Sequence, residues 1–364
     1  MKENKKRVLV ALSGGVDSSV SAALLQEAGY EVEGAFIVTW TAPWLPCTWK
    51  EERRDAMRVA AHLGIPFHTI DLSKEYEHDV VQYLVDEYKK GRTPNPDVMC
   101  NKYIKFGGLF DWAMQAGFDY IATGHYAQSV YNKDTGLYEL HAGLDTNKDQ
   151  SYFLWTLTQK HLAHTLFPVG ALAKPAVRTL AETHALPTAQ KKDSQGVCFL
   201  GKINMKEFLQ HYLPPQPGIV LDTHGKTIGS QDGAMFVTLG QRHGFSIAQQ
   251  SPHTPPLYIV AKDVTANTIT VAPRDEIFEN EQGDTQTIHL QQTHWISDTS
   301  PSPETHTLHA RLRYRQKLFP VTCDITKEHT HIHPHAPQSY IPSGQSLVLY
   351  KGDVCLGGGI ITEP

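Results

Sequence analysis

Up to about residue 125 the chain alternates short apolar runs with segments whose apolar positions recur every three or four residues. Val8-Leu9-Val10-Ala11-Leu12, Tyr30 to Val38, Phe67 to Ile70 and Tyr120-Ile121-Ala122-Thr123 read as strands. The stretch carrying Val20, Ala23 and Leu24 and stopping at Gly29 reads as a helix. So do Glu51 to Leu63 (Ala56, Val59, Ala60, Leu63), Tyr76 to Lys89 and Phe106 to Ala116. This alternation predicts an α/β fold with a doubly wound parallel sheet, whose ligands gather at the carboxyl ends of the strands. The loop after the first strand, Asp71 after the third and Gly124-His125 after the next all fall on that edge.

The period then changes. From about 150 to 200 the pattern is helical, with basic turns at Lys174-Pro175, Arg178 and Lys191-Lys192. After about 205, short alternating runs with turn signals predict two small β-rich, barrel-like domains. Examples are Ile219-Val220-Leu221, Leu257 to Val260, Thr268 to Val271 and Leu347 to Tyr350, the last turning at Lys351-Gly352-Asp353. The expected units are 1–203 (with a helical part at about 150–203), 204–280 and 281–364.

The first loop, Ser13-Gly14-Gly15-Val16-Asp17-Ser18-Ser19, joins a strand to a helix start. Glycines permit close backbone approach, hydroxyls add donors, and amides with the positive end of the helix dipole converge on an anion. The loop lacks the Gly-Lys-Ser/Thr ending of a Walker loop and lacks Gly-x-Gly-x-x-Gly. It resembles the PP-loop of ATP pyrophosphatases, which cut ATP between the α and β phosphates.

At 364 residues, with 40% hydrophobic and 20% charged residues, the chain has ordinary globular composition. No apolar run reaches the ~20 residues that cross a bilayer. The basic start enters a strand without a signal-peptide core, so a cytoplasmic protein with no membrane partner is expected. The net charge of −5 means that nucleic-acid binding must come from local patches. Among 20 histidines, His329, His331, His333 and His335 alternate. They read as an exposed surface segment with adventitious metal affinity, because Pro334 interrupts them and no carboxylate or thiol completes a set.

Five cysteines (Cys47, Cys100, Cys198, Cys323, Cys355) are too few and too scattered for a disulfide framework. Cys47, Cys323 and Cys355 read as small buried residues. Cys100 follows the stiff Asn95-Pro96-Asp97 turn before a helix, where the dipole and Lys102 and Lys105 favour thiolate. Asp97 is close enough in sequence to act as acid or base. Cys198, after Lys191-Lys192-Asp193-Ser194-Gln195-Gly196, has a similar polar setting.

With these segments the chain resembles the bacterial tRNA-specific 2-thiouridylase family along nearly its whole length. The matching motifs are Ser13 to Val20, Gly91 to Asp97, Cys100-Asn101-Lys102, Ala122 to Ala127, Lys148 to Phe153, Lys192 to Phe199, Leu239 to Arg242, Arg311 to Arg315 and Ser343-Gly344-Gln345. The resemblance implies ATP held by Ala11, Leu12, Ser13, Gly14, Gly15, Val16, Asp17, Ser18, Ile37 and Gly124, with Mg²⁺ on the triphosphate. It implies Cys198 as persulfide carrier, Cys100 as partner nucleophile and Asp97 as acid/base. Asn95, Pro96 and Asp97 would lie beside the target base. His125, Lys148, Asp149, Gln150, Arg313, Tyr314 and Gln345 would contact tRNA. A persulfide donor, either a cysteine desulfurase or a sulfur-relay protein, is implied by the family as well. Arg311, Arg313, Arg315 and Lys317, if in a strand, would share one positive face with Tyr314 opposite.

One departure is local. The family commonly reads Met-Lys-Asn-Trp after the second strand, whereas this chain reads Phe36-Ile37-Val38-Thr39-Trp40, so Ile37 stands where methionine would meet adenine. Competing readings are an amide-forming AMP-producing synthetase, which needs no cysteine pair, an RNA-binding or redox-sensing protein without catalysis, and a thiouridylase for another tRNA position.

Overall fold

A computed structural model of the chain describes residues 5–45, 49–193, 198, 204–248, 255–273, 287–301, 308–326 and 328–362. Strand β1 (Arg7–Ala11) buries Val8, Leu9 and Val10 alike, as a strand covered on both faces of a parallel sheet must. Helix α1 (Val16–Glu27) leads to β2 (Glu31–Val38), and α2 (Trp49–Leu63) leads to β3 (Phe67–Asp71). Next, α3 (Ser73–Tyr76) runs through a π-helical stretch (Glu77–Gln82) into α4 (Tyr83–Lys89). After a turn, α5 (Pro96–Met99) runs through a second such stretch (Cys100–Leu109) into α6 (Phe110–Gln115).

Strand β4 (Tyr120–Ala122) then pairs with β1, and the hairpin β5 (Ala127–Asn132) and β6 (Leu137–Ala142) follows. Helix α7 (Gln159–Ala163) precedes β7 (Thr165–Leu166), which completes a parallel sheet in the order β3-β2-β1-β4-β7. The order reverses at β1, so the crevice outside the carboxyl ends of β1 and β4 is the expected ligand position. Helix α8 (Lys174–Thr183) packs Val177 and Ala181 against Val16 and Val20 of α1.

Helix α9 (Met205–Gln210) is capped by Asn204, whose side chain accepts from the amides of Lys206 and Glu207. It leads to a second sheet of β8 (Gly218–Leu221), β9 (Thr227–Gln231), β10 (Phe245–Ile247), β11 (Leu257–Asp263) and β12 (Thr268–Pro273). Val220, Ile259, Ile269 and Val271 form its core. The last unit comprises β13 (Ile288–Trp295), β14 (Leu308–Arg311), β15 (Phe319–Ile325), β16 (Thr330–Pro334), β17 (Ser346–Lys351) and β18 (Val354–Ile361). The β13–β18 pairing closes these strands into a barrel. The α/β unit followed by two β-rich units is the architecture expected from the sequence.

Two differences have physical causes. The β5–β6 hairpin joins the last barrel, with Val354 opposite His141 and Cys355 opposite Leu140. Only Ala127 and Leu140 of that hairpin are fully buried, so its apolar signal is faint. The strand expected through Arg311 to Lys317 stops at Arg311; beyond it the chain turns, with Arg315 at φ 66°. The single positive face is therefore absent. Arg311 is an inward ion-pair partner of Asp149 at 2.8 Å, and Arg313 donates to the Tyr340 carbonyl at 2.7 Å.

Candidate active site

The turn after β1 builds one wall of the crevice. Gly14 sits at φ +72°, and a Cβ there would fall 2.4 Å from the Glu52 carbonyl oxygen, so only glycine passes beneath α2. Gly15 is the N-cap of α1, and no side chain caps that helix. The Ser18 and Ser19 hydroxyls instead donate to the Gly15 carbonyl at 3.2 and 2.7 Å. The first amides of α1 thus remain available to an anion, with the helix dipole behind them. Gly124, just after β4, abuts the same turn: a Cβ there would lie 2.7 Å from the Ser18 nitrogen.

The cleft beside this turn has a volume of about 740 Å³. Of the residues expected around ATP, Ala11, Leu12, Ser13, Gly15, Val16, Asp17, Ser18, Ile37 and Gly124 line it, while Gly14 lies behind. Asp97, His125, Lys148, Gln150, Cys198 and Tyr314 line it as well. Ile37 is buried in its wall, where a purine face would meet an apolar side chain.

Cations gather at the rim. Asp193 binds Lys148 at 2.6 Å, Lys174 at 3.0 Å and Arg178 at 2.5 Å. Burial pushes the Asp193 carboxyl up, but bonds from Lys148 and Lys174 outweigh it and hold the group well below the usual carboxylate range. Lys174 also reaches Asp17 at 2.7 Å, and Tyr126 donates to the same carboxylate at 2.8 Å. Lys191 donates to the Gly14 carbonyl at 2.9 Å and pairs with Asp55 at 2.7 Å. In the sequence Lys174 and Lys191 are only basic turns; nothing in spacing links Lys174 to Asp17, 157 positions earlier.

The two cysteines meet at the other end of the cleft. Cys100 and Cys198 are free thiols whose Sγ atoms lie 3.3 Å apart. The Tyr76 hydroxyl donates to the Cys198 carbonyl at 2.7 Å, and the Cys198 amide donates to Asp97 Oδ1 at 2.9 Å. These bonds fix the backbone that presents Cys198. The two thiols differ. A hydrogen bond from Cys100 lowers the Cys198 thiol, against the cost of burial and with help from Lys105. Burial, then the bond to Cys198, pushes Cys100 well up. The expectation of a thiolate-prone Cys100 at a helix start is therefore corrected. Cys100 is wholly buried where α5 runs on into the π-helical stretch, not on a loop ahead of a helix.

Lys105 stands among these groups. Burial works against its charge, but Cys198, Cys100 and Asp97 outweigh that and raise it. Its ammonium lies 3.3 Å from His125 Nε2. An ammonium only donates, so His125 is the tautomer with a proton on Nδ1, which faces Thr123 Oγ1 at 2.8 Å. Burial, then Lys105, hold His125 well below its ordinary value, so the imidazole is neutral. Burial raises Asp97 above its ordinary value despite the Cys198 amide, which suits a proton carrier.

Other expected contacts already have partners. Asp149 is buried; it accepts the Gly143 and Ser151 amides at 3.1 and 3.0 Å and pairs with Arg311. Its carboxylate braces the loop carrying Lys148 and Gln150. Gln345 donates to the Thr93 and Pro94 carbonyls at 3.0 and 3.3 Å, and Asn95 reaches Gln345 Oε1 at 3.4 Å. The last barrel is thereby docked onto the turn before Pro96 and Asp97. Tyr314 stacks obliquely on Phe153, with ring centroids 4.6 Å apart, and faces the cleft. Cys323 and Cys355 are buried thiols pushed up to about 12, as expected of small core residues. Cys47 lies outside the described residues. Among those residues no helix is long and apolar enough to cross a membrane.

Three protein-family models match the chain: "tRNA methyl transferase HUP domain" over residues 6–202, "tRNA methyl transferase PRC-barrel domain" over 206–273 and "Aminomethyltransferase beta-barrel domain" over 285–361. The chain is 44% identical to the tRNA-specific 2-thiouridylase MnmA of Idiomarina loihiensis, over 100% of this chain and 98% of that protein. It is 44% identical to the protein of the same name from Enterococcus faecalis, over 99% and 96% respectively. Among solved structures, the U34-tRNA thiolase NcsA from Methanococcus maripaludis is alike at a TM-score of 0.36 and 16% identity, over 58% of this chain and 67% of that one.

Proposed function

Because the chain belongs to the tRNA-specific 2-thiouridylase family and is a tRNA sulfurtransferase, we propose that it adenylates the wobble uridine at its C2 oxygen and replaces that oxygen with persulfide sulfur. The observation that carries this reading is the Cys198–Cys100 thiol pair, 3.3 Å apart, bordering the cleft lined by the uncapped loop. Methyl transfer, the words of two family-model descriptions, asks nothing of such a pair.

Ser13 to Ser18 and Gly124 cradle the ATP phosphates, and Ile37 packs against adenine. Mg²⁺, when bound, would neutralise charge on the triphosphate; the hydroxyls of Ser13 and Ser18 and the Asp17 carboxylate, which Lys174 also holds, would be its hard oxygen donors. The wobble uridine leaves the anticodon stack to enter beside Asn95, Pro96 and Asp97. Its C2 oxygen attacks the α-phosphate, and pyrophosphate departs. Lys148, Gln150, Arg313 and Tyr314 engage the tRNA, while His125 and Gln345 hold the surfaces that receive it.

Cys198, the lowered thiol, takes up sulfur as a persulfide from a cysteine desulfurase or relay protein. The terminal sulfur attacks C2 and AMP leaves with the former C2 oxygen, giving a Cys198–S–S–uridine adduct. Asp97 exchanges protons at this centre. Cys100 then attacks Cys198 Sγ. The S–S bond to the nucleoside sulfur breaks, 2-thiouridine leaves, and a Cys100–Cys198 disulfide remains for a dithiol reductant to reopen. The reading places the reaction in the cytoplasm, with tRNA.

The test is mass analysis of tRNA nucleosides after incubation with ATP, Mg²⁺ and a persulfide source. Sulfur gained for oxygen on wobble uridine, and lost in Cys100→Ser and Cys198→Ser, is the expected result. Thiolation that survives Cys198→Ser overturns Cys198 as the carrier.

A further inference from the structure

The alternating histidines form part of a cluster that the sequence does not reveal. His331 lies on β16 between two neighbours in register, His289 on β13 and Asp324 on β15. Ile332, Cys323 and Ile288 point into the barrel, so these three residues point outward together. His329, in the turn before β16, folds back so that its Nε2 lies 3.0 Å from Asp324 Oδ2. Its ring stacks on His331 with centroids 4.2 Å apart, and His289 meets His331 edge-on at 4.4 Å. A carboxylate does complete the set, which overturns the expectation of a bare histidine segment. It comes from the neighbouring strand.

We propose that Asp324, His329 and His331 form a surface site for a divalent cation of the zinc class, remote in sequence from the thiol cleft. Their ligand atoms all lie within 4.8 Å of one another. Two ligands of one tetrahedral zinc ion lie ~3.3 Å apart, given bonds of about 2.0–2.1 Å. Asp324 and His329 already meet that spacing, and His331 needs only a side-chain turn at a half-exposed position. Two imidazoles and one carboxylate are borderline nitrogen and hard oxygen donors, a set that suits zinc and leaves a position for water.

The second nitrogen of His329 is also held. Its Nδ1 lies 3.2 Å from Thr326 Oγ1, the hydroxyl that accepts the Glu328 and His329 amides at 3.1 Å each. That arrangement fixes the ring with Nε2 directed at the carboxylate, as supporting bonds do at metal sites.

The test is a calorimetric titration of the full chain with Zn²⁺, in a Cys198→Ser background so that the cleft thiols do not compete. One saturable site per chain is expected. Asp324→Asn, His329→Gln and His331→Gln should each weaken it at least tenfold, the lower end of what losing even a supporting bond costs. His224→Gln, on an exposed turn of the second sheet, should change nothing. Cu²⁺ bound at the same site should show two nitrogen couplings by electron paramagnetic resonance, falling to one in His331→Gln. Absence of saturable binding, or affinity unchanged by Asp324→Asn and His331→Gln, overturns the proposal.

Discussion

The Cys198 amide donates to the Asp97 carboxylate at 2.9 Å, joining residues 101 positions apart. One carboxyl group thereby holds the backbone of Cys198 itself and also borders the cleft in which the proposed reaction moves a proton. The two duties separate in Asp97→Asn. The amide oxygen of Asn still accepts the Cys198 N–H, but it carries no proton. Thiolation in a single turnover should fall by about 10²–10⁴, the usual worth of a positioned acid or base. The melting temperature should stay close to that of the parent. A parent-like rate would leave Asp97 only a positioning duty.

The asymmetry of the thiols predicts a titration. The bond from Cys100 and the charge of Lys105 both lower Cys198. Removing either must therefore raise it. Alkylation of Cys198 by iodoacetamide, followed against pH by peptide mass, should shift its midpoint upward in Cys100→Ala and in Lys105→Met. An unchanged midpoint in both would show that neither group sets the thiolate.

Gly124→Ala tests the fit between β4 and the phosphate loop. The added Cβ would meet the Ser18 nitrogen at 2.7 Å and the Asp17 carbonyl carbon at 2.9 Å, both backbone atoms. Overpacking of this kind costs about 1–3 kcal/mol. Because it pushes the loop itself, tRNA-dependent pyrophosphate release should need more ATP for half-maximal rate. A loss of stability with unchanged ATP dependence would place the strain elsewhere.

The parallel sheet was legible because β1 and β2 are nearly continuous apolar runs and α2 keeps a clean apolar stripe at Ala56, Val59 and Ala60. The phosphate loop was legible because its function is local: seven consecutive residues hold both the turn and the helix start. The rest depends on contacts distant in sequence. No periodicity brings Asp193 to Lys148, Lys174 and Arg178, or Gln345 to Thr93. Cys100 misled because Asn95-Pro96-Asp97 marks a helix start, while the helix then continues through the thiol and buries it. Asp324 was missed because a sheet partner is invisible to spacing along one strand.

Asp193 predicts a pH dependence with a fixed sign. Its carboxyl is held below its ordinary value in the fold by the cations around it, against burial. A depressed carboxyl contributes stability that is fully present above the unfolded value of about 3.9 and lost as pH falls through the folded value. Asp193→Asn should therefore melt below the parent at pH 7, and the gap should narrow only below about pH 4. A gap that closes between pH 7 and pH 5 would point to a histidine instead.

The order of sulfur steps has its own signature. Cys100 is buried and its thiol is pushed up. In the proposed route its turn comes only after the uridine adduct has formed, when it breaks the Cys198–S–S–uridine linkage. In Cys100→Ser the adduct should form and stall. A protein–tRNA species should then persist on a denaturing gel, require both ATP and the persulfide source, and vanish on adding dithiothreitol. Cys198→Ser should give none. If Cys100 instead attacked the persulfide and expelled hydrosulfide to reach C2, Cys100→Ser would trap no adduct, and the protein would retain an unspent persulfide detectable by mass. The two routes leave the same 2-thiouridine and the same disulfide, so only the stalled variant separates them.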